Sequence, residues 1–211
     1  MRAVTIVPGK AASQRLEEIA EPAQEQGSLL VRALAVGICG TDRELIDGDY
    51  GEAPPGRERL VLGHESLGRV IEAPAESSFR TGDMVVGIVR HPDPVPCVNC
   101  ALGEWDMCRN GRYTERGIKQ ADGFAAERWR NKPDTTDLGA LNRKLVLNNN
   151  VVFGTVNANR RHYQSAVEAL LKADNRWLGR LISREVPVET WSSALVRQPD
   201  DVKPVIVFQK G

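Results

Sequence analysis

Excess charge of either sign is missing from this sequence, in which 28 lysines and arginines balance 28 aspartates and glutamates over 211 residues. That balance gives no reason to expect nucleic acid, an anionic membrane or a polyanionic partner. Long apolar runs are missing too. The opening stretch Met1 to Gly9 is too short for a signal-peptide core, and no later segment approaches the roughly 20 apolar residues of a membrane span. A cytoplasmic protein is expected. Cysteine is scarce, with four in all, and three of them crowd into Cys97-x2-Cys100-x7-Cys108. In a reducing compartment such spacing reads as metal ligands or free thiols, not as a disulfide framework. There is no Gly-x-Gly-x-x-Gly and no strand and helix series long enough for a doubly wound nucleotide fold, so dinucleotide binding by this chain alone is not expected. Repeats, heptads and low-complexity tracts are also lacking.

What is present is 41% apolar residues, enough for an ordinary core. Short β-like runs fill the first 130 residues: Arg2 to Val7, Ser28 to Val36, Leu60 to Leu62, Gly68 to Glu72, Met84 to Val89 and Gly123 to Trp129. Turn residues separate them, notably Gly48, Gly51, Pro54, Pro55 and Gly56 in one loop and Pro92, Pro94 and Pro96 in another. This rhythm predicts a β-barrel or sandwich. After Lys132-Pro133-Asp134 the polar stretch Thr135 to Gly139 reads as a connector. Beyond it the pattern predicts a strand at Val151 to Phe153, a helix from Arg160 to Ala173, a second near Val188 to Val196 and a closing strand at Val205 to Phe208. In the first helix Tyr163, Val167, Leu170 and Leu171 form one apolar stripe.

Three groups of residues can carry chemistry. Cys39 lies in the Gly-flanked turn Gly37-Ile38-Cys39-Gly40-Thr41-Asp42, and taken alone it reads better as a buried structural cysteine than as a ligand. His64 and Glu65 are adjacent in Gly63-His64-Glu65-Ser66-Leu67-Gly68, so both reach one metal only if the backbone turns there, a turn that Gly63 and Gly68 would permit. Thiolate, imidazole and carboxylate form a set that binds zinc while leaving a fourth position open. The third group is Cys97, Cys100 and Cys108, three ligands of a four-coordinate structural zinc, with Asp93 as the candidate fourth and His91 as its substitute. The alternative for that loop is a decayed site held by cysteine packing and Trp105.

The order and spacing of the Cys39 turn, the His64-Glu65 turn, Gly82-Asp83-Met84-Val85-Val86 and the cysteine-rich loop resemble the zinc-dependent medium-chain dehydrogenases. Within that superfamily, Tyr113-Thr114-Glu115-Arg116-Gly117-Ile118 and the stretch Gly154-Thr155-Val156-Asn157-Ala158-Asn159-Arg160-Arg161-His162 resemble the glucose 1-dehydrogenase branch. The resemblance covers nearly the whole chain. It implies a GroES-like β-barrel catalytic domain, mainly β with a few helices, and catalytic zinc on Cys39, His64 and Glu65. It further implies that Thr41 belongs to a proton relay, that Glu115 and Asn157 hydrogen-bond an aldose or polyol substrate, and that NAD or NADP takes the hydride. Arg90 and His91 occupy the stretch where the family has another polar sugar contact, but with a different residue type. Pro94 stands where the first cysteine of the structural-zinc loop belongs. A homo-oligomer is compatible with the resemblance.

The family inserts a Rossmann domain of about 150 residues between two segments of its catalytic domain. Here residues 1–134 and 141–211 correspond to those segments and 135–140 joins them directly. The sequence therefore reads as the zinc- and sugar-binding domain without its Rossmann domain, unable to transfer hydride alone. Two readings of other classes stand beside it: a zinc-binding barrel serving assembly, and a zinc hydrolase or lyase in which the open metal position activates water.

Overall fold

The computed structural model describes residues 1–132 and 160–208. The expected strand at Val151 to Phe153, the junction at 135–140 and Asn157 lie outside the described residues.

The longest strand, β3 (Leu29–Gly37), organises the fold. Its run of Leu, Val and Ala is buried at most positions, as expected of a strand paired on both edges. Along one edge β3 pairs antiparallel with β5 (Glu65–Glu72). Its other edge is divided. β10 (Arg128–Asn131) takes Leu29 to Arg32, and β12 (Lys203–Val207) takes Ala35 to Gly37. Parallel to β12 runs β11 (Ile182–Pro187), and β6 (Met84–Val85) pairs with the far edge of β5. A second sheet has β1 (Arg2–Ile6) between β2 (Arg15–Glu18) and β4 (Leu60–Val61). A third has β8 (Thr114–Arg116) between β7 (Arg90–His91) and β9 (Gln120–Ala121).

The expectation of a mainly β chain with a few helices holds, but among the described residues these three sheets do not close into a barrel. Short strands and the divided edge of β3 leave them as separate ladders. Nor is a doubly wound sheet present among the described residues, where the parallel pairs are β11 with β12 and β8 with β9.

Among the described residues the α-helices are short: α1 (Gly40–Asp47), α2 (Val98–Ala101), α3 (Arg160–Leu170), α4 (Asn175–Gly179) and α5 (Ser192–Leu195). Tyr163 and Val167 of the α3 stripe are buried, at 8% and 2% exposure, while Leu170 and Leu171 are half-buried. The expected helix over Val188 to Val196 is instead a 3-10 turn at Val188–Thr190 followed by α5. Two strands shorten: Met84 to Val89 to its first two residues, and Gly123 to Trp129 to a strand beginning at Arg128. The first half of the latter instead bonds other backbone, with Gly123, Phe124, Ala125 and Glu127 donating to the carbonyls of Val61, Gly63, Leu62 and Arg2.

The core joins both segments of the chain. Val31, Val36, Leu45, Phe124 and Trp129 from the first pack in one cluster with Val186, Val188, Ala194 and Ile206 from the second. Phe124 and Trp129 meet edge to face, 4.8 Å between centroids. Burying each such large apolar side chain contributes about 1.5–3 kcal/mol, so residues 182–208 are integral to the domain. None of the described helices is long and apolar enough to cross a membrane.

Candidate metal centre and sugar-facing residues

Three neighbouring strands deliver the first candidate site. β3 ends at Gly37 and leads through Ile38 to Cys39; β5 begins at Glu65, directly after His64; and β12 begins at Lys203. The register sets Gly37 opposite Glu65 on one side and opposite Val205 on the other. One extra residue in β3 between Ala33 and Ala35 shifts the β3–β5 pairing, a bulge that re-aims the strand end carrying Cys39.

The turn required between His64 and Glu65 is made by Gly63, whose φ of +88° lies in the left-handed region. Gly68 plays no part in it, because it sits inside β5. His64 is 2% exposed, with Nε2 3.0 Å from Cys39 Sγ. Its Nδ1 lies 3.6 Å from Asp42 Oδ1. Asp42 has a second task, since its Oδ2 accepts the Cys39 backbone N–H at 2.9 Å and so caps α1. One buried carboxylate thus fixes the cysteine turn and stands beside the imidazole without a hydrogen bond to it.

Glu65 directs Oε1 to Lys203 Nζ at 2.8 Å, while its buried Oε2 has no hydrogen-bond partner. A Cβ on Gly37 would lie 2.3 Å from that Oε2, so glycine leaves the room the carboxylate occupies. One donor atom each from Cys39, His64 and Glu65 lie within 4.8 Å of one another. Soft sulfur, imidazole nitrogen and an unpartnered carboxylate oxygen at this spacing fit zinc. Burial opposes a charge on His64, but the Cys39 hydrogen bond, Asp42 and Glu65 outweigh it and raise the imidazole to about 9. Metal binding at this nitrogen therefore releases a proton.

Thr41 is half-buried in the first turn of α1, two residues after Cys39. Burial raises the Tyr50 phenol above its ordinary value, and the Thr41 side chain, within hydrogen-bonding range, acts against that rise. Asp42, Tyr50 and Lys203 all escape a reading of sequence motifs. Lys203 in particular carries no local signal, because it reaches Glu65 only through the β12 register.

Glu115 is 6% exposed on β8, where Arg90 of β7 donates to its Oε1 from Nε at 2.8 Å and from Nη2 at 2.5 Å. Arg90 also lies over the Tyr113 ring at 4.0 Å. Arg90 therefore holds Glu115 in a buried ion pair. The β8–β9 turn abuts the His64 turn, since a Cβ on Gly117 would meet the Gly63 carbonyl oxygen at 2.5 Å.

The cysteine-rich loop brings Cys97, Cys100 and Cys108 together, each offering a sulfur within 4.8 Å of the others. Cys97 precedes α2, and backbone N–H groups of Arg109 and Cys100 lower its thiol to about 6. Burial pushes Cys100 the other way. The Asp93 carboxylate does not join this group. Its Oδ1 accepts the Val95 N–H at 2.8 Å and its Oδ2 lies 3.4 Å from Arg112 Nε, so it ties down the proline-rich loop. His91 also lies apart from the sulfurs. Burial, together with Arg116 and Lys132, lowers its imidazole to about 4.

The alcohol dehydrogenase GroES-like domain family matches residues 25–138, and the glucose dehydrogenase C-terminus family matches residues 117–208. A glucose 1-dehydrogenase of Methanocella arvoryzae is 45% identical over 135 residues, covering 64% of this chain and 38% of the relative. That of Thermoproteus tenax is 44% identical over 128 residues, covering 60% and 35%. The chain thus spans little more than a third of the length of these relatives. A solved glucose dehydrogenase of Haloferax mediterranei in complex with NADP, Zn and gluconolactone superposes with a TM-score of 0.78 at 20% identity, covering 100% of both chains, a likeness of fold. With the family's domain matched over more than half its length, this chain belongs to the zinc-dependent medium-chain dehydrogenase/reductase superfamily, in its glucose dehydrogenase-like branch.

Proposed function

We propose that this chain forms the zinc- and sugar-holding part of a nicotinamide-dependent aldose 1-dehydrogenase. The observation that carries the reading is the convergence of Cys39 Sγ, His64 Nε2 and a Glu65 oxygen where β3 and β5 meet. The glucose 1-dehydrogenase relatives support a sugar as substrate.

In this reading Cys39, His64 and Glu65 hold the metal. Bound there, zinc supplies Lewis acidity, lowering the pKa of the sugar's C1 hydroxyl. The Thr41 hydroxyl takes the departing proton toward Tyr50 and solvent. Asp42 stands beside the imidazole at Nδ1, leaving Nε2 to face the metal. Glu115, held by Arg90, hydrogen-bonds the sugar, and Asn157 is its proposed partner from the second segment. Cys97, Cys100 and Cys108 are proposed as ligands of a structural zinc, short of a fourth from Asp93.

The hydride acceptor is NAD or NADP, positioned in relatives by a domain whose place the residues 135–140 junction takes here. The chain alone therefore binds sugar without oxidising it. Titrating glucose into the zinc-loaded chain, then adding either nicotinamide cofactor, tests both halves. The expected result is zinc-dependent glucose binding that Cys39→Ser abolishes, with negligible cofactor reduction. Glucose binding indifferent to zinc, or reduction at an ordinary dehydrogenase rate, overturns the reading.

A further inference from the structure

A second cavity of about 860 Å³ lies where β7, β8 and the loop before β10 meet the Pro54 loop. Cys39, His64 and Glu65 are not among its lining residues. Arg116 lines it and is 6% exposed. Its Nη1 donates to the Asp122 carbonyl at 3.1 Å and its Nη2 to the Arg130 carbonyl at 2.5 Å. Its Nε is buried with no hydrogen-bond partner, and no carboxylate pairs with the guanidinium among the described residues. The face of the group rests on Phe124, 5.3 Å from the ring centroid. The nearby Asp122 carboxylate is already committed to Arg57 and to the Val61 N–H.

A buried cation without a counter-ion is costly, by several kcal/mol in an interior, unless something neutralises it. Burial accordingly pulls Arg116 down to about 10 against the influence of Asp122. Three further observations describe what would satisfy it. Lys132, exposed at the rim, adds a second positive charge. Trp105 also lines the cavity, and its buried Nε1 has no hydrogen-bond partner. Among the other lining charges, Arg90 pairs with Glu115, Arg57 with Asp122 and Asp93 with the exposed Arg112, although Asp93 Oδ2 accepts no hydrogen bond, and Glu25 is exposed.

We infer that this cavity is a second binding site, for an organic oxyanion whose phosphate or carboxylate group lies between Arg116 and Lys132. The Arg116 guanidinium, held in place by the Asp122 and Arg130 carbonyls, is a preoriented cation, and a group already ordered loses little entropy on binding. Charge-assisted hydrogen bonds from a guanidinium suit either oxyanion. The volume leaves space for the polar body that carries the anionic group.

The test is calorimetric titration of the full chain with inorganic phosphate and, separately, with gluconate, using chloride as the ionic-strength control. Saturable binding of at least one probe is expected. Lys132→Glu, a rim change that spares the core, should weaken it roughly tenfold or more, as should Arg116→Gln where that variant folds. Cys39→Ser should leave it unchanged, which separates this site from the metal centre. Preference for phosphate or for gluconate identifies which oxyanion chemistry the site takes. Absence of saturation by both probes, binding unaffected by Lys132→Glu, or binding lost in Cys39→Ser overturns the inference.

Discussion

Lys203 Nζ stands 2.8 Å from Glu65 Oε1, an ion pair between residues 138 apart in sequence. Both side chains are largely enclosed, at 20% and 11% exposure. The pair exists because β12 lies against β3 and β3 against β5, so the carboxy-terminal segment supplies the cation that holds a candidate metal ligand from the amino-terminal one. Replacing Lys203 with Met leaves the Glu65 carboxylate without its donor. A loss of about 1–2 kcal/mol is expected in denaturant unfolding, with a smaller effect in the Glu65→Gln background, as a double-mutant cycle reads.

Arg90 and Glu115 form the other enclosed pair, and here both side chains are under a tenth exposed. Truncating Arg90 to Ala strands a buried carboxylate, and the expected cost is roughly 3–5 kcal/mol. Joint replacement of Arg90 by Met and Glu115 by Leu should recover most of that stability while removing glucose binding. Urea midpoints of the single and double variants measure the difference.

Gly63 is the turn on which the His64 geometry depends. Alanine there would hold a left-handed φ and bring its Cβ to 2.7 Å from Val36 Cγ1 and 3.1 Å from Ala125 N. Strain of roughly 1–3 kcal/mol is expected, together with weaker zinc binding, because the adjustment moves the imidazole. Thermal unfolding with and without zinc reports both effects.

Tyr163 links α3 to the first segment through a hydrogen bond with the Val89 backbone, and burial pushes its phenol up to about 12. The folded value lies above the unfolded value near 10, so this contribution to stability is complete below pH 10 and lost as pH rises through 12. By linkage the loss approaches about 2–3 kcal/mol. Tyr163→Phe should unfold less steeply than the parent over that pH range, as stability curves at successive pH values would record.

How much of this was legible beforehand differs from element to element. β3 announced itself through its unbroken apolar run, and the α3 stripe through its spacing, because burial imposes those periods directly. The grouping of Cys39, His64 and Glu65 was also legible, since glycines flank both turns and the three residue types share an affinity for zinc. Gly68 misled, because a glycine within a strand and a glycine in a turn look alike without φ. The barrel was expected from short strands separated by turns, yet closure depends on edge pairing, and the edge of β3 is divided between β10 and β12. Asp93 was a reasonable fourth ligand by residue type and position. Its carboxylate turned out to serve the Val95 N–H and Arg112, a local competition that sequence spacing does not record. The role of Lys203 arises from a contact between distant strands, beyond the reach of any motif.

The central claim is that Cys39, His64 and Glu65 hold zinc, and zinc content per folded chain tests it most directly. Elemental analysis after exhaustive dialysis, with circular dichroism to verify folding, should find about one zinc fewer per chain in Cys39→Ser and in His64→Ala than in the parent. Equal zinc content in parent and variants, or a folded parent that holds none, contradicts the account.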